Sequence, residues 1–159
     1  MVFDGRWTAR LPEQGGVVFL IGMRFNKWWR ADRWWPVVTA MPRMLVHLGR
    51  HPELGFLGGR SWFGRTTILV SYWRSADDLI DFASARSAPH LEAWKAYNRA
   101  VGADGTVGVW HETYLVGPGR FEAVYANMPA FGLAEAFSHE AVTRASGSSR
   151  QRLADTGPA

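Results

Sequence analysis

YWRSADDLIDFASARSAPHLEAWKAYNRAVGADGTVGVWHETY, residues 72–114, reads as a strand end, a helix, a break, a second helical segment, a Gly-rich turn and a strand. Ser75 precedes an apolar periodic run and Asp78 follows three residues on, a capping-box-like start with Asp in place of Glu. Leu79, Ile80, Phe82 and Ala83 then form a stripe at helical spacing. Ser87-Ala88-Pro89 interrupts it, because proline lacks an N–H and disfavours helix in the residue before it. A new helix starting at Pro89 would carry His90, Trp94, Tyr97 and Val101 on one face, with Gly102 and Asp104-Gly105 ending it. After the turn, Val107, Val109, His111, Thr113 and Leu115 alternate with Gly108, Trp110, Glu112, Tyr114 and Val116, so His111 lies on a largely apolar strand face and Glu112 on the other. Each histidine taken alone fits a core residue bonded to backbone. Together they mark a candidate site, because a helix and strand adjacent in sequence usually pack together.

Upstream, residues 17–25 (VVFLIGMRF) form an apolar, β-branched run, short enough for a strand buried on both faces, with Arg24 near its end. Trp34, Val37, Val38, Met41, Leu45 and Leu48 recur at helical spacing; Pro36 suits the first turn and Pro42 predicts a kink. Residues 54–62 and 66–73 read as two strands joined at Phe63-Gly64-Arg65. The order is β-α-β-β-α-β with a broken second helix. The expected class is α+β, a ferredoxin-like split βαβ with both helices on one face of an antiparallel sheet. Apolar residues on both strand faces predict that the uncovered face pairs with a second copy, giving a dimeric α/β barrel. The expected domain spans 16–136, preceded by an irregular lead-in at 1–15 and followed by a disordered, small and polar tail at 137–159.

Composition narrows the chemistry. Without cysteine there are no disulfides, thiolate nucleophiles or Cys-ligated metals, so a transition metal would need His or carboxylates. Nine tryptophans in 159 residues favour a large apolar core, a ligand cavity, or both. The net charge of +4 comes from scattered arginines, which points to a solvated surface, so no nucleic-acid partner is expected. Residues 26–35 (NKWWRADRWW) interleave tryptophans with basic residues; they could form an interfacial patch, but the helix that follows favours tryptophans turned to the core or a subunit contact. No apolar stretch approaches the roughly 18 residues of a membrane span and no signal-peptide core is visible, so a cytoplasmic protein with no membrane partner is expected.

Several segments in order, YWRSADDLIDFA (72–83), HLEAWKAYN (90–98), GVWHETY (108–114) and FEAVYANMP (121–129) with FGL (131–133), resemble a family of dimeric α/β-barrel proteins labelled monooxygenase-like. Pro89-His90, Trp110-His111-Glu112, Phe121-Glu122 and Gly132-Leu133 are also similar to motifs of the aldoxime dehydratases, haem enzymes that convert aldoximes to nitriles. Trp73-Arg74-Ser75, Phe82-Ala83 and His90 resemble a pattern in the haem-linked spheroidene monooxygenases. The dehydratase resemblance implies haem b with His90 as iron ligand, Trp94 beside it, and His111 as the distal acid–base group. It also implies Arg24 and Ser61 as residues that orient substrate. The expected function is a haem enzyme, dehydratase-like or monooxygenase-like, acting on a small hydrophobic substrate as a homodimer. The alternatives are a cofactor-independent monooxygenase of the antibiotic-biosynthesis type and a non-catalytic carrier of haem or a hydrophobic ligand.

Overall fold

The computed structural model describes residues 1–85 (side chains of 36, 37 and 40 excepted), 95 and 104–154. The main sheet is antiparallel, in the order β3-β4-β2-β5, from strands β2 (Gly16–Phe25), β3 (Phe56–Trp62), β4 (Ile68–Trp73) and β5 (Val107–Val116). Helix α1 (Ala31–Arg50) joins β2 to β3, and α2 (Ala76–Ser84) follows β4. This is the ferredoxin-like order expected from the sequence, with β4 and β2 central and β3 and β5 at the edges. The second helical segment, with His90 and Trp94, lies outside the described residues.

Parity determines what each strand buries. The β2–β5 ladder runs unbroken from Gly16↔Val116 to Phe25↔Val107, so odd-numbered residues of both strands share a face throughout. On that face Val17, Trp73, Leu79, Phe82 and Leu48 form the core between sheet and helices, with Phe19, Met44 and Phe56 packed against it. Trp34 and Val38 of α1 cover Met23, Phe25 and Val107. The Trp73 indole N–H donates to Ser71 Oγ (3.1 Å), whose hydroxyl donates to the Phe19 carbonyl (3.0 Å), so the polar atoms of this buried row are satisfied. Helix α1 is continuous through Pro36 and Pro42. Helix α2 begins as the sequence predicts: Ser75 Oγ accepts from the Asp78 N–H (3.1 Å), and the Asp78 carboxylate takes the Ser75 hydroxyl and the Arg74 guanidinium.

The flanking segments differ from expectation. Residues Phe3–Arg10 form a strand, β1, and not an irregular lead-in; it is the centre of a second antiparallel sheet between β6 (Tyr125–Met128) and β7 (Ser138–Ala141). The pairing of β1 with β6 shifts between Phe3 and Arg6, where Gly5 has φ +78°, and this irregularity spoils the alternation by which a strand is recognised. The 137–159 tail is likewise structured where described: it supplies β7 and a helix, Ser149–Ala154, whose Arg152 is paired with Glu122. A one-turn helix, α3 (Leu133–Ala136), packs on β1 and β7; Ala134 joins Ala9 and Leu11 in a separate core cluster.

The segment around α3 also covers part of the sheet face turned away from α1 and α2. Arg60 binds both carboxylate oxygens of Glu135 and lies over the Phe131 ring at 4.9 Å. Gly132 sits under the hydroxyls of Tyr72 and Tyr125, whose pKa values burial pushes up. The β3–β4 half of that face is therefore covered from within the chain. The β2–β5 half keeps Val18, Leu20 and Trp110 half-buried and Tyr114 exposed.

Candidate functional site

Register brings three of the sequence-derived positions into a definable relation. Ser61 pairs with Leu69, Leu69 with Ile21, and Ile21 with His111, so one row of residues crosses all four strands on the helix side. At about 4.8 Å per strand, Ser61 and His111 stand roughly 14 Å apart, on the two edge strands. They share a face without touching. Arg24 is not on that face: it has even parity in β2, and its guanidinium donates to Thr66 Oγ1 (3.0 Å) at the strand end. In the unbroken register, which contains no bulge to reverse the parity, Arg24 and His111 start from opposite faces of the sheet.

His111 is exposed, and its side chain makes no hydrogen bond among the described residues; its ring neighbour is Phe19, at 5.9 Å between centroids. This removes the reading of His111 as a hydrogen-bonded core histidine. Val109, Thr113 and Leu115, on the same face of β5, are also exposed, Leu115 at 68%. Among the described residues, helices α1 and α2 thus cover β2, β4 and the Val107 end of β5, and the rest of that β5 face is an exposed strip. At one end the strip meets an open groove of about 650 Å³ bordered by Val17, Arg74, Ser75, Leu115, Val116 and Arg120. That volume is in the range of small-molecule sites. Asp78, behind Arg74, is held below the usual carboxylate range, first by its hydrogen bonds from Arg74 and then by that from Ser75.

Ser61 faces a different space. With Met23, Val38, Met41, Phe63 and Leu69 it borders an apolar recess of about 30 Å³ between α1 and the sheet, enough for about one water. Nearby, Thr67 Oγ1 accepts from the Met23 N–H (3.0 Å) and ties the start of β4 to β2. The Arg74–Arg120 groove and the Phe19 contact were not singled out from sequence. Both follow from carrying the parity of β5 across to β2, which requires the register. Among the described residues, no group of three or more His, Asp or Glu is placed to hold a metal ion.

A family model for monooxygenase af470-like proteins matches residues 16–133. The chain belongs to this family. Its curated relative "Monooxygenase af470" of Aspergillus fumigatus is 27% identical over 154 residues, covering 79% of this chain and 52% of the relative. The chain therefore spans about half the length of the curated relative it matches. Among solved structures, aldoxime dehydratase OxdRE in complex with butyraldoxime superposes with a TM-score of 0.63 at 15% identity, over 78% of this chain and 37% of that one. At that identity the likeness concerns the fold. SnoaB, a cofactor-independent oxygenase from Streptomyces nogalater, has a TM-score of 0.47 at 12% identity, over 64% of this chain and 93% of its own. No described helix is long and apolar enough to cross a membrane.

Proposed function

We propose that this protein is a cytoplasmic, monooxygenase-like enzyme that binds a small hydrophobic substrate along the open β5 strip, with His111 as its acid–base residue. The observation that carries the reading is an exposed imidazole without a hydrogen-bond partner among the described residues, at the middle of an apolar strip that runs into a groove. An imidazole in that setting has both ring nitrogens free to give or take a proton at a bound ligand, which a hydrogen-bonded structural histidine does poorly. Leu115, Val109 and the Phe19 ring supply apolar contact and exclude water from one side of the ligand. Arg74 and Arg120 border the groove where a polar end of the substrate would emerge.

Haem b is part of the proposal through the sequence resemblance. The described face suits it: His111 is the one ionisable residue among the helix-side positions of β5, with Val109 and Thr113 on either side of it and Val107 and Leu115 beyond, so no carboxylate opposes a flat apolar group there. His90 would hold the iron and Trp94 would lie beside it; both are outside the described residues. Bound haem would supply a redox-active iron, and His111 would hold or release a proton at its own ring nitrogen beside the bound substrate. A homodimer is also proposed, through the β2–β5 half of the sheet face away from the helices, where Tyr114 is exposed.

Titration of the purified protein with haemin tests the cofactor. A stoichiometric Soret band, lost in His90→Ala and kept with an altered ferric spectrum in His111→Ala, is expected. If the wild-type protein gives no such band, the haem assignment fails, and oxygen uptake with an electron-rich aromatic substrate and no added cofactor tests the cofactor-independent alternative.

A further inference from the structure

Of the two places the sequence allows for the tryptophans of residues 26–35, the core or a subunit contact, the core takes only one of the four. Trp28, Trp29 and Trp35 are exposed at 67%, 63% and 59%, while Trp34 packs inward on Phe25 (4.9 Å) and its indole N–H donates to the Trp28 carbonyl (3.0 Å). Phe63, at the β3–β4 turn, is 79% exposed. The two segments share one end of the sheet: the Phe25 N–H donates to the Arg65 carbonyl (2.9 Å), and the N–H groups of Asn26 and Lys27 bond the Thr106 carbonyl. Leaving four large aromatic side chains in water forgoes the stabilisation of burying them, and exposed aromatics gathered at one end of a sheet point to a docking surface.

The charges around the patch indicate what covers it. Arg24, Lys27, Arg30, Arg33 and Arg65 lie at this end, and Asp32 and Asp104 oppose them. Asp32 is engaged by Arg30 at 2.8 Å, so the remaining charge at the tip is positive. Tryptophan and phenylalanine flanked by Lys and Arg are the side chains that settle at the interface of a membrane with anionic headgroups. Bases stacking in succession would need open parallel ring faces, whereas Trp28 and Trp29 meet edge to face at 82°. We propose that this end of the domain, with Trp28, Trp29, Trp35 and Phe63 at its apex and Lys27 and Arg65 beside them, is a docking surface for an anionic lipid bilayer. It reaches beyond the enzymatic reading and does not depend on it, because docking needs neither haem nor turnover. Phe63 also borders the apolar recess behind Ser61, so a docked tip would place that recess at the lipid surface.

Co-sedimentation of the full chain with phosphatidylcholine vesicles, with and without about a third of phosphatidylserine, tests the proposal at physiological salt. Wild type is expected to pellet with the phosphatidylserine vesicles and to shift its tryptophan emission to the blue. Trp28→Ala/Trp29→Ala/Phe63→Ala should weaken partitioning by at least about tenfold, since each loses an anchoring ring. Lys27→Gln/Arg65→Gln should weaken it several-fold and flatten its salt dependence. The single variant Phe63→Glu, at a turn in open solvent, serves as a second test should the triple variant fold poorly; circular dichroism reports folding in each case. Absence of wild-type binding to phosphatidylserine vesicles overturns the proposal, as does binding unchanged by Phe63→Glu. Equally contrary would be a patch that instead holds a fluorescent oligonucleotide, or a second copy of the chain in sedimentation, with the same variants abolishing that contact.

Discussion

His111→Ala separates a site residue from a structural one, and the structure provides the size of the expected effect. The imidazole is exposed, donates and accepts no hydrogen bond among the described residues, and touches the Phe19 ring edge at a centroid distance of 5.9 Å. Truncating it leaves no buried polar group unpaired and opens no internal cavity. The change in stability should stay within about 0.5 kcal/mol. For a chain of this size that is about 1–2 °C in Tm. Leu48→Ala is the contrasting control: Leu48 is 2% exposed in the core with Val17 and Trp73, and losing its side chain should cost about 2–5 kcal/mol. Scanning calorimetry measures both. The same His111→Ala protein should lose roughly 10²–10⁴-fold in turnover, or show a changed ferric spectrum where haem is bound. A fall in Tm comparable to that of Leu48→Ala, with activity and spectrum unchanged, would refute the assignment of His111 to the site.

Gly22→Ala should destabilise by about 1–3 kcal/mol or more in urea titration, because a methyl there overlaps the Thr67 carbonyl oxygen, a backbone atom that cannot swing away. Ser75→Ala removes the cap of α2 and should cost about 1 kcal/mol. The Asp78 carboxyl is held below its ordinary 3.8, so its contribution is complete above that pH and is lost as pH falls through its lower folded value; the stability gap between wild type and Asp78→Asn should narrow as pH drops from about 5 toward 3. Sedimentation equilibrium should show a homodimer, and Tyr114→Lys, on the exposed β2–β5 half of the outer sheet face, should shift it toward monomer; a monomer at all micromolar concentrations would contradict the dimer.

The central fold was readable because its signals are local. Ser75 caps a helix through its own oxygen, the run from Val107 to Val116 alternates without a bulge, and in residues 17–25 the odd-numbered apolar residues face the helices while Val18 and Leu20 stand half-buried on the other face. The second sheet was not readable, because β1 takes its partners from residues more than a hundred positions away and its own pattern is broken at Gly5. The face of His111 was correct from alternation alone. Its exposure was not, because that depends on how far α1 and α2 reach across the sheet, which no local pattern records. Arg24 illustrates the converse: its place at the end of an apolar strand suggested a site, but the face it takes is set by the neighbouring strand.

The geometry also constrains the ligand. Ser61 and His111 end the same row on opposite edges, roughly 14 Å apart, with Leu69 and Ile21 between them. No small substrate held by His111 reaches Ser61, so the two act on one ligand only if it lies flat across the sheet. The recess behind Ser61, at about 30 Å³, is too tight to hold the body of such a ligand as it stands. Among the described residues, the larger space lies at the other edge, at Leu115 and in the groove beside Arg74. On the proposed function, a small hydrophobic molecule would bind on the β5 side beside His111, with Ser61 lining the space beneath α1. That division follows from strand order: in β3-β4-β2-β5 the two edges are as far apart as the sheet allows, and the described helices close the space over one of them.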